Sequence, residues 1–331
     1  MNFYELTPLD TLFFRGAEPL EPGQLATSAF FPPPVSVISG AIRTTVLKEN
    51  GISFNDYNKG ENVPDQISQL IGNSSEQNPP FTITAILLKS KNTVYSPAPY
   101  SWFIDKVAGK KYSGLKVIHA KIADPNVIKR LSIHSSAKIL PVAISENEMI
   151  SIGGKWIRSE LLSKSGEIVF AENDLLDSEQ LYATENRTGI SLLDKVTNRP
   201  TRNVQKGALF TARHIRLKDD VTLIIATDKD CGLKDIGKMQ LGGEQRLCGY
   251  KKIPPLNLGT SGNMFVSLSP VRAEESIKDK VICTGKLMTI AGWDMRKRFH
   301  KPSQSWFPAG TVFKENINNQ CVSIAQQEEE K

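Results

Sequence analysis

The sequence predicts an α+β fold, with antiparallel sheets and a few short helices on one face. Three observations lead there. Apolar and polar residues alternate over strand-length runs that recur along the chain: Phe81–Lys89 (FTITAILLK), Leu115–Ile122 (LKVIHAKI), Gly207–Leu217 (GALFTARHIRL) and Val281–Ile290 (VICTGKLMTI). Helical periodicity is confined to short stretches. The regular exchange of strand and long helix that marks a doubly wound parallel sheet is missing.

The elements follow in order. Phe3, Leu6, Leu9, Leu12, Phe13 and Phe14 predict a first strand that ends at Arg15-Gly16. Pro19, Pro22 and Gly23 keep the next stretch irregular. Pro32, Pro33 and Pro34 cannot lie inside a helix but suit the start of one, with Ser36 or a neighbour supplying the cap oxygen. Val35, Ile38, Ile42, Val46 and Glu49 then share a face, Ser36, Ser39, Gly40 and Arg43 share the opposite one, and Gly51 stops the helix. Gly40 lacks a side chain, which permits close approach of another backbone.

The polar stretch Gly51–Pro80 reads as a surface insertion. Val94–Phe103, aromatic and broken by proline, reads as an edge strand or a loop. Glu146–Ser163 has helical character. Gly207–Leu217 and Val221–Ala226 suit a hairpin turning at Lys218-Asp219-Asp220. Met264–Leu268 is a strand, and Val271–Ile277 a short helical stretch.

At 331 residues the chain is long for one domain and comfortable for two. No run of 18 apolar residues is present, and MNFYELTPLD lacks a basic segment followed by an apolar one. A membrane span and a secretory signal are not expected. The four cysteines, Cys231, Cys248, Cys283 and Cys321, have no CxxC spacing, so they read as ordinary small apolar residues in a reducing cytoplasm.

The net charge of +6 is mild, but its distribution is uneven. Arg187, Lys195, Arg199, Arg202, Lys206, Arg213, Arg216 and Lys218 crowd one stretch in which Asp194 is the sole acid. Thr, Ser, Asn and Gln residues separate these bases. A polar, basic hairpin of this kind suits sugar–phosphate contact and single-stranded bases, and a solvated insertion is the alternative.

Catalytic signals are weak. His119, His134, His214 and His300 show neither HxH nor HExxH spacing. His119 and His214 fall in strand patterns and read as structural, whereas His134 and His300 stand in polar or basic surroundings. Asp10, Asp194 and Asp294 are isolated, which argues against a metal site. Leu241-Gly242-Gly243-Glu244-Gln245-Arg246 is either a tight turn or a phosphate-contacting loop, with backbone amides and Arg246 as donors. It is not a Walker loop, since the GK[ST] end is missing. In Ala291–Lys301, Trp293 and Phe299 interleave with bases, a pattern that serves stacking or an ordinary core tryptophan beside exposed charge.

Set in order, LDTLFFRGAEPL and FPPPVSVISGAIRTTVL resemble the signature of one family. So do Glu185–Ile190 (ENRTGI), Gly207–Phe210, Leu241–Arg246 (LGGEQR), Gly292-Trp293 and Pro308–Val312. It is the family of the third subunit of the Cmr complex, the type III-B CRISPR RNA-guided effector. That subunit is a Repeat-Associated Mysterious Protein (RAMP) of the crRNA five-prime-end-capping group. The motifs span nearly the whole chain. Gln245 departs from the pattern, where the family often has a second base, and Gly51–Pro80 matches none of it.

The resemblance implies two ferredoxin-like (RRM-like) domains, here 1–145 and 146–331, with β-hairpin insertions and a glycine-rich loop. It implies a non-catalytic, cofactor-free subunit that holds the 5′ repeat-derived tag of crRNA and anchors the large polymerase/cyclase-like subunit. A backbone RAMP subunit would stand beside it, and target RNA would be reached indirectly. The RNA contacts expected are Arg15, Ser36, Ser39 and Arg43 from the first half, and Arg187, Arg199, Arg202, Gly242, Gly243 and Arg246 from the second. The alternatives are a crRNA-processing endoribonuclease of the same superfamily, with His134 or His300 as base, and a nucleotide-binding enzyme using the glycine-rich loop.

Overall fold

The computed structural model describes residues 1–14, 30–76, 78–106, 111–124, 126, 141–192, 204–259, 262–294 and 299–324. Three of the expected contacts, Arg15, Arg199 and Arg202, lie outside the described residues, as does His134.

An eight-stranded sheet organises the chain. From one edge its order is Leu175–Leu176, Trp156–Arg158, Thr93–Pro97, Ile83–Ser90, Val221–Thr227, Asn2–Pro8, Leu247–Ile253 and Ile236–Gln240. Every neighbouring pair is antiparallel. The N-terminal strand lies between two strands from late in the chain, with Tyr4 opposite Ile225 on one side and Lys252 on the other. The sheet thus draws strands from both sides of the 145/146 boundary expected from the sequence.

Side-chain alternation sends the central strands into two cores. Tyr4, Leu6, Ile86, Leu88, Leu223 and Ile225 pack with Ile38, Ile42 and Val46 of the Val35–Glu49 helix. Phe3, Ala85, Leu87, Ile224 and Ala226 pack on the other side with Met264, Val266, Leu268 and Val312. These last residues belong to a four-stranded sheet and its margin, in the order Val281–Cys283, Val312–Phe313, Met264–Ser267, Cys321–Ile324. Because the Ile83–Ser90 strand is covered on both faces, residues 83–88 are buried at every position, and the alternation expected of Phe81–Lys89 does not divide it into a core face and a solvent face.

The Val35–Glu49 helix forms as predicted, but Ser36 does not cap it. Pro34 is the N-cap residue and makes no side-chain cap bond. Its restricted φ sets the helix entry instead, and the first free amides are left to other partners. A Cβ at Gly40 would meet no atom within 4 Å, so this glycine opens space and accommodates no neighbouring backbone.

Other expectations are revised. The first strand ends at Pro8, and the chain bends before Leu12 and Phe13 make isolated bridges to Ile215 and Gly242. Gly51–Pro80 is no mere surface insertion. It folds into helices Phe54–Lys59 and Asp65–Ile71, which bury Tyr57 and Ile71 in the helix-side core. Helices this short carry too few apolar residues to show a period.

Glu146–Ser163 holds strands Met149–Ser151 and Trp156–Arg158 and a 3₁₀ turn at Ser159–Ser163. The break falls at Gly153, whose bare Cα lies under the Tyr100 ring. Thr93–Pro97 is an interior strand of the large sheet, and Trp102–Asp105 is a separate strand.

Gly207–Leu217 does not pair with Val221–Ala226. The strand that contains it, Val204–Leu217, pairs instead with Tyr182–Leu192 to make one long hairpin. Val221–Thr227, apolar on both faces, is drawn into the middle of the large sheet. A further three-stranded sheet, Val271–Arg272, Phe299–Phe307 and Met288–Asp294, stands apart from it. Among the described residues no helix is long and apolar enough to cross a membrane.

Ile42 is fully buried between the helix and the sheet. Ile42→Ala is expected to cost about 2–5 kcal/mol, read as a lower urea midpoint at unchanged slope. A loss under about 1 kcal/mol would contradict the packing of this helix on the sheet.

Candidate nucleic-acid interface

The expected contact residues that are described fall in two places. The first lies at the base of the long hairpin. Glu185 is opposite His214, and Ala183 opposite Arg216, so Glu185, Arg187 and Arg216 share one face of the hairpin. The Asp10–Phe13 segment crosses that face. Leu12 exchanges two backbone hydrogen bonds with Ile215, both at 2.8 Å, and the Gly243 amide donates to the Phe13 carbonyl at 2.8 Å.

Three arginines converge on Asp10. Arg216 and Arg246 donate to it at 3.1 and 2.9 Å, and Arg187 at 3.2 Å. Glu185 takes the Nε groups of Arg187 and Arg216, each at 2.7 Å, while Glu244 takes an Nη of Arg246 at 2.7 Å. The Thr11 amide, and after it the Arg187 and Arg216 guanidiniums, hold the Asp10 carboxyl below the usual carboxylate range. Arg216 and then Arg187 do the same for Glu185.

Beneath the cluster, His214 is fully enclosed, stacked on Phe13 at 4.9 Å and hydrogen-bonded through Nδ1 to Thr11 Oγ1 at 3.1 Å. Burial lowers its pKa, which favours the neutral ring. Asp10, which reads as isolated in sequence, is therefore gathered with Glu185 and Glu244 around arginines, whereas Asp194 lies outside the described residues. Among the described residues no group of acids, histidines and cysteines is arranged to hold a metal.

The glycine pair serves this assembly. Gly242 has φ +84°, and a Cβ there would lie 2.4 Å from the Phe13 carbonyl oxygen. A Cβ on Gly243 would lie 2.8 Å from the Phe13 ring. Both glycines let Phe13 approach the loop. Gly243 also commits its amide to Phe13, so this amide is not open to phosphate as the sequence suggested.

The second place is a cleft of about 600 Å³. The polar face of the Val35–Glu49 helix supplies Ser36, Ser39, Gly40 and Arg43. The Met288–Asp294 and Phe299–Phe307 strands supply Gly292, Lys301, Gln304 and Trp306, and Arg272, Glu274 and Asp228 add charge. Ser36 is exposed, whereas the Ser39 hydroxyl donates back to the Val35 carbonyl at 2.9 Å.

Arg43 is largely engaged within the chain. It donates to the carbonyls of Asn73 and Glu76 at 2.6 and 3.2 Å and to the Tyr57 hydroxyl at 2.8 Å. Its Nε is buried without a partner, and so is the Trp306 indole N–H.

The structure thus puts Ser36, Ser39 and Arg43 at the cleft and Arg187, Gly242, Gly243 and Arg246 at the base of the hairpin, although all are expected as contacts to one RNA tag. It also adds Asp10, Glu185, Arg216 and Glu244 to one site, and Arg272, Lys301, Gln304 and Trp306 to the other. The spacing Glu185-x-Arg187 and the alternation in ARHIR carried a signal for the first group. Nothing local marked the second. His119 is buried against Trp102 at 4.7 Å between ring centres, and burial lowers its pKa to about 4. The four cysteines are free thiols.

This fold is of a class already seen in CRISPR effectors. It is similar to a chain of the Type III-B Cmr-beta complex bound to cognate target RNA and AMPPnP, with TM-score 0.52 and 17% identity over 94% of this chain and 86% of that one. The same figures hold for a chain of that complex bound to cognate target RNA alone. At TM-score 0.43 and 12% identity, over 96% of this chain and 93% of the other, it also aligns with a chain of the Csm3-Csm4 subcomplex of the type III-A CRISPR-Cas interference complex. No curated protein matches the chain. Residues 4–330 match the family described as CRISPR-associated protein (Cas_Cmr3), and the chain belongs to that family. It is thereby a CRISPR effector component.

Two outcomes test the geometry. Gly242→Ala is expected to destabilise the chain by about 1–3 kcal/mol in denaturant unfolding, from positive φ and the Phe13 contact. Wild-type stability in that variant would refute the close approach. The second outcome concerns acid. Folded-state pKa values of Asp10 and Glu185 lie below their unfolded ones. Their stabilisation is complete above the ordinary carboxylate values, about 4, and is lost as pH falls through the folded values. The Asp10→Asn/Glu185→Gln variant should therefore lose less stability than wild type as pH falls below about 4. Superimposable pH profiles would deny the linkage.

Proposed function

We propose that this chain is a non-catalytic RNA-binding subunit of a type III-B CRISPR effector. It holds the 5′ repeat-derived tag of crRNA and anchors the large polymerase/cyclase-like subunit, next to a backbone RAMP subunit. The observation that carries this reading is the cleft between the Val35–Glu49 helix and the Phe299–Phe307 strand. It combines bases, hydroxyls, an indole and two unpartnered donors in one concave surface.

Such a set suits single-stranded RNA. Lys301 and Arg272 pair with phosphates, Trp306 offers a ring edge or face to a base, and Ser36 and Gln304 bond ribose or base edges. The orphaned donors of Arg43 and Trp306 call for acceptors, which RNA has in abundance. Asp228 and Glu274 accept from ribose hydroxyls and base amino groups, and they disfavour indiscriminate phosphate binding.

Within this reading the central strands form a ferredoxin-like unit. Their order, Leu247–Ile253, Asn2–Pro8, Val221–Thr227, Ile83–Ser90, with the Val35–Glu49 helix and two short ones between the first strand and Ile83–Ser90 in sequence, supports it. Residues 1–145 and 146–331 are then halves that fold together, because each supplies strands to the same sheet.

The test is the affinity of the full chain for a single-stranded tag RNA across a salt series. Arg272→Ala and Lys301→Ala should each weaken binding and flatten the plot of log K against log salt by about 0.7 per lost phosphate contact. Unchanged affinity in both variants would overturn the site, and no affinity in wild type would overturn the function. Cleavage of repeat RNA by the purified chain would overturn its non-catalytic part.

A further inference from the structure

The cluster around Asp10 is separate from the cleft, and none of its six charged residues lines that cleft. Its carboxylates play two different parts. Glu185 and Glu244 grip the arginines from the side. Glu185 takes both Nε groups and Glu244 takes one Nη, all at 2.7 Å. They brace the guanidinium planes and leave Nη groups of Arg187, Arg216 and Arg246 directed at one point. Asp10 sits at that point and receives an Nη donor from each arginine, at 3.2, 3.1 and 2.9 Å, besides the Thr11 amide.

Three guanidiniums from separate parts of the chain, converging on one group with two terminal oxygens, make a site for an oxyanion. We propose that Asp10 is an internal stand-in for a phosphodiester: its carboxylate fills a phosphate site made by Arg187, Arg216 and Arg246, and an RNA phosphate displaces it on binding. The proposal rests on the RNA-binding reading above and extends it to a second contact point.

The exchange is balanced. A carboxylate and a phosphodiester each carry one negative charge over two terminal oxygens, so the swap leaves the net charge of the site unchanged. The phosphodiester adds ester oxygens, and the Arg246 Nε, buried and unpartnered, is a donor still without an acceptor. Access is open from the Asp10 side, whose side chain is 44% exposed, whereas Arg246 is 19% exposed and held.

Release is local. Asp10 lies in a bend after the Asn2–Pro8 strand, outside any ladder. Its side chain can turn away while Leu12–Ile215 and Phe13–Gly243 keep their backbone bonds. The incoming phosphate takes over the three arginine contacts, so what the exchange gives up is chiefly the Thr11 amide bond to Asp10.

The test uses the full-length chain and a single-stranded RNA carrying the tag. Asp10→Asn removes the competing charge and leaves the arginines braced by Glu185 and Glu244. Affinity at low salt should rise several-fold, and the salt slope should steepen by about 0.7, because the displaced Asp10 carboxylate of wild type takes up a cation that offsets the one the RNA phosphate releases, and the variant does not. Arg216→Ala should do the reverse. An Asp10→Asn chain that keeps its melting temperature but binds RNA equally or more weakly overturns the proposal, since Asp10 would then only position the arginines. If Asp10→Asn fails to fold, Asp10→Ser is read against the same criteria. If that also fails, an Arg216→Ala affinity equal to wild type overturns the site. Were Lys301→Ala to weaken binding while the Asp10 and Arg216 variants leave it unchanged, this inference alone would fall. Were wild type not to bind the RNA, the function proposed above would fall with it.

Discussion

Everything in this structure depends on where the first fourteen residues are held. Asn2–Pro8 lies inside the eight-stranded sheet, hydrogen-bonded on both edges by strands more than two hundred residues away. With Tyr4 and Leu6 in one core and Phe3 in the other, this strand ties both cores to the same backbone. Non-local pairing of this kind carries a loop-closure cost before any contact rewards it, and the two-sided burial of the central strands offsets that cost. Past Pro8 the same segment leaves the sheet and crosses the long hairpin. The position of Asp10 is thus fixed by the register of Asn2–Pro8 and by the bridges of Leu12 and Phe13.

That placement changes the meaning of the chain's basicity. The sequence shows a crowded run of bases with one acid among them, a pattern that suggests an open polycationic surface. In the fold, Arg187, Arg216 and Arg246 are matched by Asp10, Glu185 and Glu244, all of which lie outside that acid-poor arrangement or at its edge. Net charge along a sequence and free charge on a surface are different quantities. The difference here is supplied by an aspartate brought from the N-terminus and by two glutamates beside the arginines.

The cleft has the opposite character. Its residues come from a helix, segments flanking Ile83–Ser90 and Val221–Thr227, and a separate three-stranded sheet, and two of its donors lack partners. The helix contributes by having two faces of different chemistry. Ile38, Ile42 and Val46 anchor it on the sheet, which obliges Ser36, Ser39, Gly40 and Arg43 to point away. The site is a by-product of the packing, and the bare Gly40 keeps it open.

The sequence alone determined the antiparallel α+β character, the Val35–Glu49 helix and its polar face, the central strand at Ile83–Ser90, the hairpin-like nature of the basic middle and the family. These are carried by local periodicity, by proline and glycine, and by motif order, all of which act within a few residues. Only the tertiary structure decided that Val204–Leu217 pairs with Tyr182–Leu192, that Gly51–Pro80 buries Tyr57 and Ile71, that the glycine pair holds Phe13, and that the expected contacts divide between a cleft and an arginine cluster. Strand partners and ion pairs are chosen by energies summed over residues far apart in sequence. A strand records which of its faces is apolar, but not which other strand will cover it.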